Sequence, residues 1–364
     1  MLKSSLIHLT AIYSLAVSLT LAAAQPDRLE QPSPISPAAH GVMLTDIARA
    51  GERLVAVGDF GVVLYSDDHG HQWQQANVPV TTLLTSLFFT SDQQGWMTGH
   101  DGVLLFTENA GQDWQLMFDG NQLNELKVEF FEGALANLSD EALEEDPYLE
   151  EDLAFALEDA EMALEDGPVN PLLNVWFINS QTGFLLGAYG LALRTDDAGQ
   201  NWQFISHELP NPDQYHLNAI TQLDDSLVIA GEAGLLMRSD DHGETWYELP
   251  SPYGGSFFDV IAHQGALYAL GLRGHLFVSQ DGGFDWQEIP VDTTVSFMGA
   301  YSDGDTLLIA GLGGTLLTGT DPAQLMEHPL GTRHHFNAVV ATASGWVLAG
   351  EQGIFKAQQE GVSP

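Results

Sequence analysis

Over most of the chain, apolar residues fall in short alternating runs rather than at helical spacing. VWFINSQTGFLLG (175–187), AITQLDDSLVIAG (219–231), DVIAHQGALYALG (259–271) and NAVVATASGWVLAG (337–350) each read as two strands joined by a turn. Each pair ends in a G-x-x-G that leads into a third apolar run. The first glycines of these turns stand at 58, 99, 187, 231, 271, 311 and 350. Five of the third runs enter a second motif, S/T-x-D/N-x-G-x-x-W. Its copies are SDDHGHQW (66–73), TENAGQDW (107–114), TDDAGQNW (195–202), SDDHGETW (239–246) and SQDGGFDW (279–286). A four-stranded unit of about 40 residues, repeated seven times, predicts an all-β, seven-bladed β-propeller. The first strand of each blade is the inner one and the chain runs outward. G-x-x-G then joins the second and third strands, and the S/T-x-D/N motif joins the third and fourth.

Two places break the period. The seventh repeat ends at GIFKAQQEGVSP (353–364) and lacks a fourth strand. The segment from about 27 to 33, in DRLEQPSP, is expected to supply that outer strand and so tie the ring shut. Between blades 2 and 3 lies an insertion over 119–173. Residues 119–166 hold 17 acids and one base, Lys127, yet read as helical. Asp146 can cap, Pro147 suits a first helical position, and Gly167-Pro168 ends the run. Leu149, Leu153, Leu157, Ala160 and Leu164 form an apolar stripe, and Leu123–Leu138 reads as a partner helix. An acidic helical hairpin is expected, packed on itself or on the propeller.

The repeated motif explains itself locally. Its Asp or Asn (Asp68, Asn109, Asp197, Asp241, Asp281) can accept backbone N–H groups a few residues ahead. Its glycine (Gly70, Gly111, Gly199, Gly243, Gly283) permits positive φ. Its tryptophan (Trp73, Trp114, Trp202, Trp246, Trp286) buries a ring against the blade. Five near-identical copies round a ring argue for a turn device rather than an active site. His69 and His71 have metal-like spacing, but they lie inside one such turn without a placed carboxylate.

These repeats resemble the BNR or Asp-box repeats of sialidases and of many non-enzymatic propellers. The fuller pattern, as in GFLLGAYGLALRTDDAGQNW (183–202), is similar to the photosystem II stability/assembly factor family. The resemblance spans the chain except the insertion. It implies an exported, non-catalytic propeller that helps a membrane protein complex assemble. It also implies an arginine-rich patch in members from photosynthetic organisms; this chain has seven arginines, at 28, 49, 53, 194, 238, 273 and 333. The alternative is a sialidase-like glycoside hydrolase, which needs an arginine triad, a Tyr–Glu nucleophile pair and an Asp acid/base. The R-I-P or R-L-P tripeptide of that group is absent. Arg194 and Arg238 occupy equivalent third-strand positions and read as repeat features. No G-x-S-x-G, H-E-x-x-H or P-loop pattern occurs.

Composition narrows the partners. Fifty acids against ten bases give a formal charge of −40, a field that repels nucleic acid. No cysteine is present, which excludes disulfides, thiol chemistry and a lipidated N-terminal cysteine. Residues 1–24 read as a secretory signal with a basic start at Lys3 and a small-residue end at Ala22–Ala24. Cleavage before Gln25 is favoured over an uncleaved anchor, giving a periplasmic or secreted single-domain propeller of residues 25–364. Neither a cofactor nor a catalytic or metal site is expected; the dense carboxylates could bind calcium weakly, but no D-x-D-x-D-G loop occurs to make a dedicated site. The expected partner is a protein, from a membrane or periplasmic complex, bound by a monomer. The insertion follows an outer strand and precedes an inner one. It therefore shares a face with the G-x-x-G turns, opposite the Asp boxes, and that face is the expected working face. It would carry His100, Asp101, Tyr189, Tyr215, His216, Glu232, Tyr253, Arg273, Arg333, His334 and His335.

Overall fold

A computed structural model describes residues 27–358. Seven antiparallel sheets follow one another along the chain, in sequential strand order. The inner strands are Leu44–Ala50, Leu84–Phe89, Leu172–Phe177, Leu217–Leu223, Phe257–His263, Phe297–Ser302 and Phe336–Thr342. These are the seven blades of a propeller. Second strands such as Gly183–Gly187 and Ser226–Gly231 are buried on both faces, which is why their sequences are almost wholly apolar. Outer strands are as short as two residues, as at Tyr247–Glu248. The core is a ring of seven apolar clusters. They run across the seams, so that Phe184 of blade 3 packs with Ile229 and Trp246 of blade 4.

The inner strands share a device that fixes one blade to the next. Each has a register shift at its second residue. At four shifts the side chain is polar and donates to a carbonyl of the next blade. Thr45 bonds Leu84 O at 2.7 Å, Thr85 bonds Leu172 O at 2.7 Å, Asn218 bonds Phe257 O at 2.7 Å and Asn337 bonds Leu44 O at 2.8 Å.

Among the described residues the ring closes without a shared sheet. Among the described residues blade 7 has three strands, Phe336–Thr342, Gly345–Gly350 and Gly353–Ala357. The segment expected to complete it lies elsewhere. Ser33 donates to Val78 O, Thr81 donates to Arg28 O, and Leu29 is buried in the cluster shared by blades 1 and 2. The expectation of an outer strand from 27–33 is therefore corrected. Leu29 is buried in the apolar cluster at that seam, and Pro32 and Pro34 suit an irregular segment better than a ladder. Blades 7 and 1 join through side chains instead. Asn337 reaches Leu44 O, Arg49 reaches Ala341 O at 2.9 Å, and Lys356 reaches His69 O at 3.3 Å.

The insertion forms three helices: α1 (Gly120–Ala136), α2 (Asp140–Glu145) and α3 (Leu149–Asp166). Asp119 caps α1 in a capping box with Gln122. The short α2 was not foreseen, and Ser139 caps it. Asp146 does not cap α3 as expected. It ends α2 and accepts the Tyr148 N–H, so α3 begins at Leu149 rather than at Pro147. The hairpin packs both on itself and on the propeller. Asn124 donates to the carbonyls of Ala163 in α3 and of Gly167, which caps its end. Leu123, Phe130 and Phe131 of α1 join the cluster around Phe204 and Trp202 of blade 3. The expected signal segment, residues 1–24, lies outside the described residues; no helix among those described is long and apolar enough to cross a membrane.

Candidate functional site

The Asp boxes close as hairpins on one face. In the fourth blade the Ser239 hydroxyl donates to Asp241 at 2.8 Å and accepts the Gly243 N–H at 2.8 Å. Asp241 also accepts the Thr245 N–H and hydroxyl at 2.9 and 2.7 Å. These bonds, the Thr245 hydroxyl first, hold its carboxyl down at about 2. Asp68, Asp197 and Asp281 are lowered in the same way. Asn109 plays the part in blade 2, accepting from Thr107 and the Asp113 N–H.

The box glycine has a further duty across the seam. A Cβ at Gly199 or Gly243 would lie 2.3 Å from Trp96 or Phe184 of the preceding blade. At Gly70, Gly111 and Gly283 the neighbours are aliphatic: Val347, Val55 and Leu249. In those three blades the tryptophan N–H reaches the glycine carbonyl, at 3.2, 3.1 and 2.9 Å for Trp73, Trp114 and Trp286. Trp202 and Trp246 sit against aromatic neighbours instead, and their indole N–H groups find no acceptor among the described residues.

Arginines reinforce this face. Arg194 binds Asp196 and reaches Glu244 of the next blade at 2.6 Å. Arg238 binds Asp240 and Gly282 O, and Arg53 binds Asp67. The third-strand arginines are thus held by box aspartates and do not reach the opposite face.

The opposite face carries the G-x-x-G turns, the blade-to-blade links and the helical hairpin. The third residue of six turns has left-handed backbone: Phe60, Asp101, Tyr189, Ala233, Arg273 and Gly313. Five of these are not glycine, a strained choice that concentrates at functional sites. In four turns the left-handed N–H is caught by the side chain preceding the next inner strand. His216 Nδ1 accepts from Tyr189 at 3.1 Å, Ser256 from Ala233 at 3.4 Å, Ser296 from Arg273 at 3.2 Å and His335 Nδ1 from Gly313 at 2.9 Å. The backbone N–H groups of the two histidines in turn donate to Glu232 and Glu351.

These contacts sort the face residues. Tyr189, Tyr215, His216 and Glu232 come together between blades 3 and 4, and Arg333, His334 and His335 between blades 6 and 7. Asp101 is buried and held by Arg28 at 2.8 Å and Thr82 at 2.6 Å, beside His100 in the same turn. Tyr253 packs on His275 and Phe277. Arg273 lies in the blade 5 turn, with its backbone N–H on Ser296. Phe60, 57 % exposed, was missed by sequence reasoning; its third place in G-x-x-G, shared with Tyr189 at 61 %, was the available signal.

This face also carries a groove of about 700 Å³ between the hairpin and the loops of blade 3. Phe131, Ala160 and Lys127 form one wall; Phe204, His207 and Leu209 form the other, with Tyr189 at its rim. His207 lies 4.5 Å from the Phe130 ring, and burial lowers its pKa. Burial likewise lowers that of Lys127. A second cavity of about 480 Å³ is the axial channel between the inner strands. Asp46 accepts the N–H groups of Ile47 and Leu87, and Asp259 those of Val260 and Ala300. Each carboxylate thus bridges two blades. Burial raises Asp46 to about 6 and Asp259 to about 7.

With the geometry in view, comparison with known proteins is informative. The family model described as photosynthesis system II assembly factor YCF48 matches residues 16–125 and 158–253. The interruption falls inside the hairpin. A curated relative, the photosystem II assembly lipoprotein Ycf48 of Synechococcus sp. (strain CC9902), is 34 % identical over 111 residues. That match spans 27 % of this chain and 33 % of the relative, so only about a third of the relative's length is covered. Among solved structures, YCF48 bound to D1 peptide aligns at TM-score 0.59 and 14 % identity, covering 89 % of this chain and 94 % of that one. YCF48 from Cyanidioschyzon merolae aligns at TM-score 0.60 and 13 % identity, covering 89 % and 97 %. Likeness at that identity speaks to the fold alone.

Proposed function

Because the chain belongs to the photosynthesis system II assembly factor YCF48 family, we propose that it is a non-catalytic assembly factor, an exported propeller that holds a protein segment of a membrane-associated complex during its assembly. The observation that carries this reading is the groove beside the hairpin. It is open, lined by apolar and aromatic side chains with a few polar groups, and lies away from the face spent on Asp-box turns. Part of its helical wall, Lys127, Phe131 and Ala156, lies where the family match breaks off, which supports a form of this face particular to this protein.

A peptide is the fitting ligand. Rings and prolines line the groove, Phe131, Phe204, His207, Pro210 and Pro212 among them, and such a lining suits an extended chain. The related structure is named as a complex with D1 peptide, so that peptide is the first probe. We expect it to bind the full chain and to be lost when residues 121–168 are replaced by a short linker. Fluorescence anisotropy with a labelled D1 peptide measures this. Equal binding by the deleted protein would place the ligand elsewhere and overturn the reading.

A further inference from the structure

We propose that the outward face of α3 is a docking strip for a basic amphipathic helix of a partner protein. This deepens the reading of the hairpin face as a docking surface, but it concerns the side of α3 turned away from the groove. The inner side of α3 is fixed: Ala160 is buried, and Asn124 of α1 clamps the carbonyls of Ala163 and Gly167. Ala156, Ala160 and Ala163 face the groove. At 3.6 residues per turn, Tyr148, Phe155 and Met162 lie roughly 120–160° round the helix from Ala160. All three are exposed, at 70 %, 65 % and 51 %. Large apolar side chains in a row on a surface mark a contact that the isolated molecule does not satisfy.

The spacing selects the partner's shape. Tyr148, Phe155 and Met162 are seven residues apart, a strip of about 21 Å at 1.5 Å per residue. A seven-residue repeat is the seam that a second helix packs along. The charge selects its chemistry. Glu151, Glu158 and Glu165 run along one side of the row and Asp152, Asp159 and Asp166 along the other. No lysine or arginine occurs in 149–166, so these carboxylates have no basic neighbour on their own helix. Like charges one turn apart destabilise a helix, and lysines or arginines flanking an apolar seam would relieve that while covering the row. A second copy of the same strip would set carboxylate against carboxylate. An anionic lipid surface would be repelled by it.

The test uses the full chain and an amidated peptide of about three heptads, with leucine on the seam and lysine beside it, in about 0.15 M salt. Its affinity is compared with that of a peptide of the same composition whose leucines are scrambled. Tyr148→Ser/Phe155→Ser/Met162→Ser removes the row and keeps every charge. We expect the heptad peptide to bind the wild type roughly tenfold tighter than it binds this variant, and roughly tenfold tighter than the scrambled peptide binds the wild type. Should the triple variant lose helical circular dichroism, Glu151→Gln/Glu158→Gln/Glu165→Gln replaces it, with at least a roughly fivefold loss expected. Equal affinity for the variant or for the scrambled peptide would show mere charge attraction and overturn the proposal. So would row-dependent binding to anionic vesicles, or row-dependent dimerisation in sedimentation equilibrium. D1-peptide binding retained by the triple variant leaves the groove reading standing whichever way this test falls.

Discussion

Asp46 and Asp259 show how one residue type takes opposite roles. In the Asp boxes a carboxylate at the surface accepts several local N–H and O–H groups, and its pKa falls. In the axial channel the carboxylates also accept two N–H groups each, yet burial outweighs those bonds and their pKa rises. The folded protein then holds protons there that the unfolded chain, with carboxyls near 3.8, gives up. The stability this confers is complete below about pH 4 and is lost as pH climbs through about 6 and about 7. We expect the unfolding midpoint of the wild type to fall more between about pH 5 and 8 than that of Asp259→Asn, by calorimetry. Parallel curves would refute the assignment. The left-handed turn residues offer a second test at this scale. Ala233 has φ 54 and an exposed side chain, so Ala233→Gly should raise stability by about 0.5–1 kcal/mol in urea unfolding.

At the scale of the element, the Asp-box hairpin both shapes itself and plugs the next seam. The sequence motif makes the first duty legible, because every polar member bonds within eight residues. The second was hidden, since the residue over the glycine comes from another blade some 100 to 60 positions earlier in the chain, as with Trp96 over Gly199 and Phe184 over Gly243. Gly243→Ala would force a methyl against Phe184 at φ 87, and we expect it to cost about 2 kcal/mol or more. Gly254→Ala, at an exposed glycine with nothing within 4 Å, should cost well under half of that in the same measurement. The hairpin was legible as two helices because its apolar stripe keeps a three- or four-residue period. Its docking surface on blade 3 was not: Phe130 and Phe131 pair with Phe204, which belongs to an outer strand only two residues long.

Among the described residues, the molecule is held as a ring by side chains and by a plug, with no strand exchanged between its ends. Residues 27–36 fill the seam between blades 1 and 2, with Leu29 buried, Arg28 on Asp101 and Ser36 bound to the Gln75 side chain. Deleting 27–36 should lower the unfolding midpoint and speed hydrogen exchange over about residues 75–82. Exchange in the last strand, Gly353–Ala357, should stay unchanged. Faster exchange in that strand would restore the closure that the repeat pattern had suggested.

By itself, the sequence determined the blade count, the four-strand order, the box turns and the side on which the insertion emerges. All of these follow from short-range periodicity and turn chemistry, which are encoded within each repeat of about 40 residues. Only the tertiary structure decided where the N-terminal segment lies, which box glycines meet aromatic rings, and that two aspartates share the axial channel. It also decided that α3 turns Ala160 to the groove and Phe155 to solvent. These depend on contacts between residues far apart in the chain, and no local pattern records which blade will stand beside which side chain.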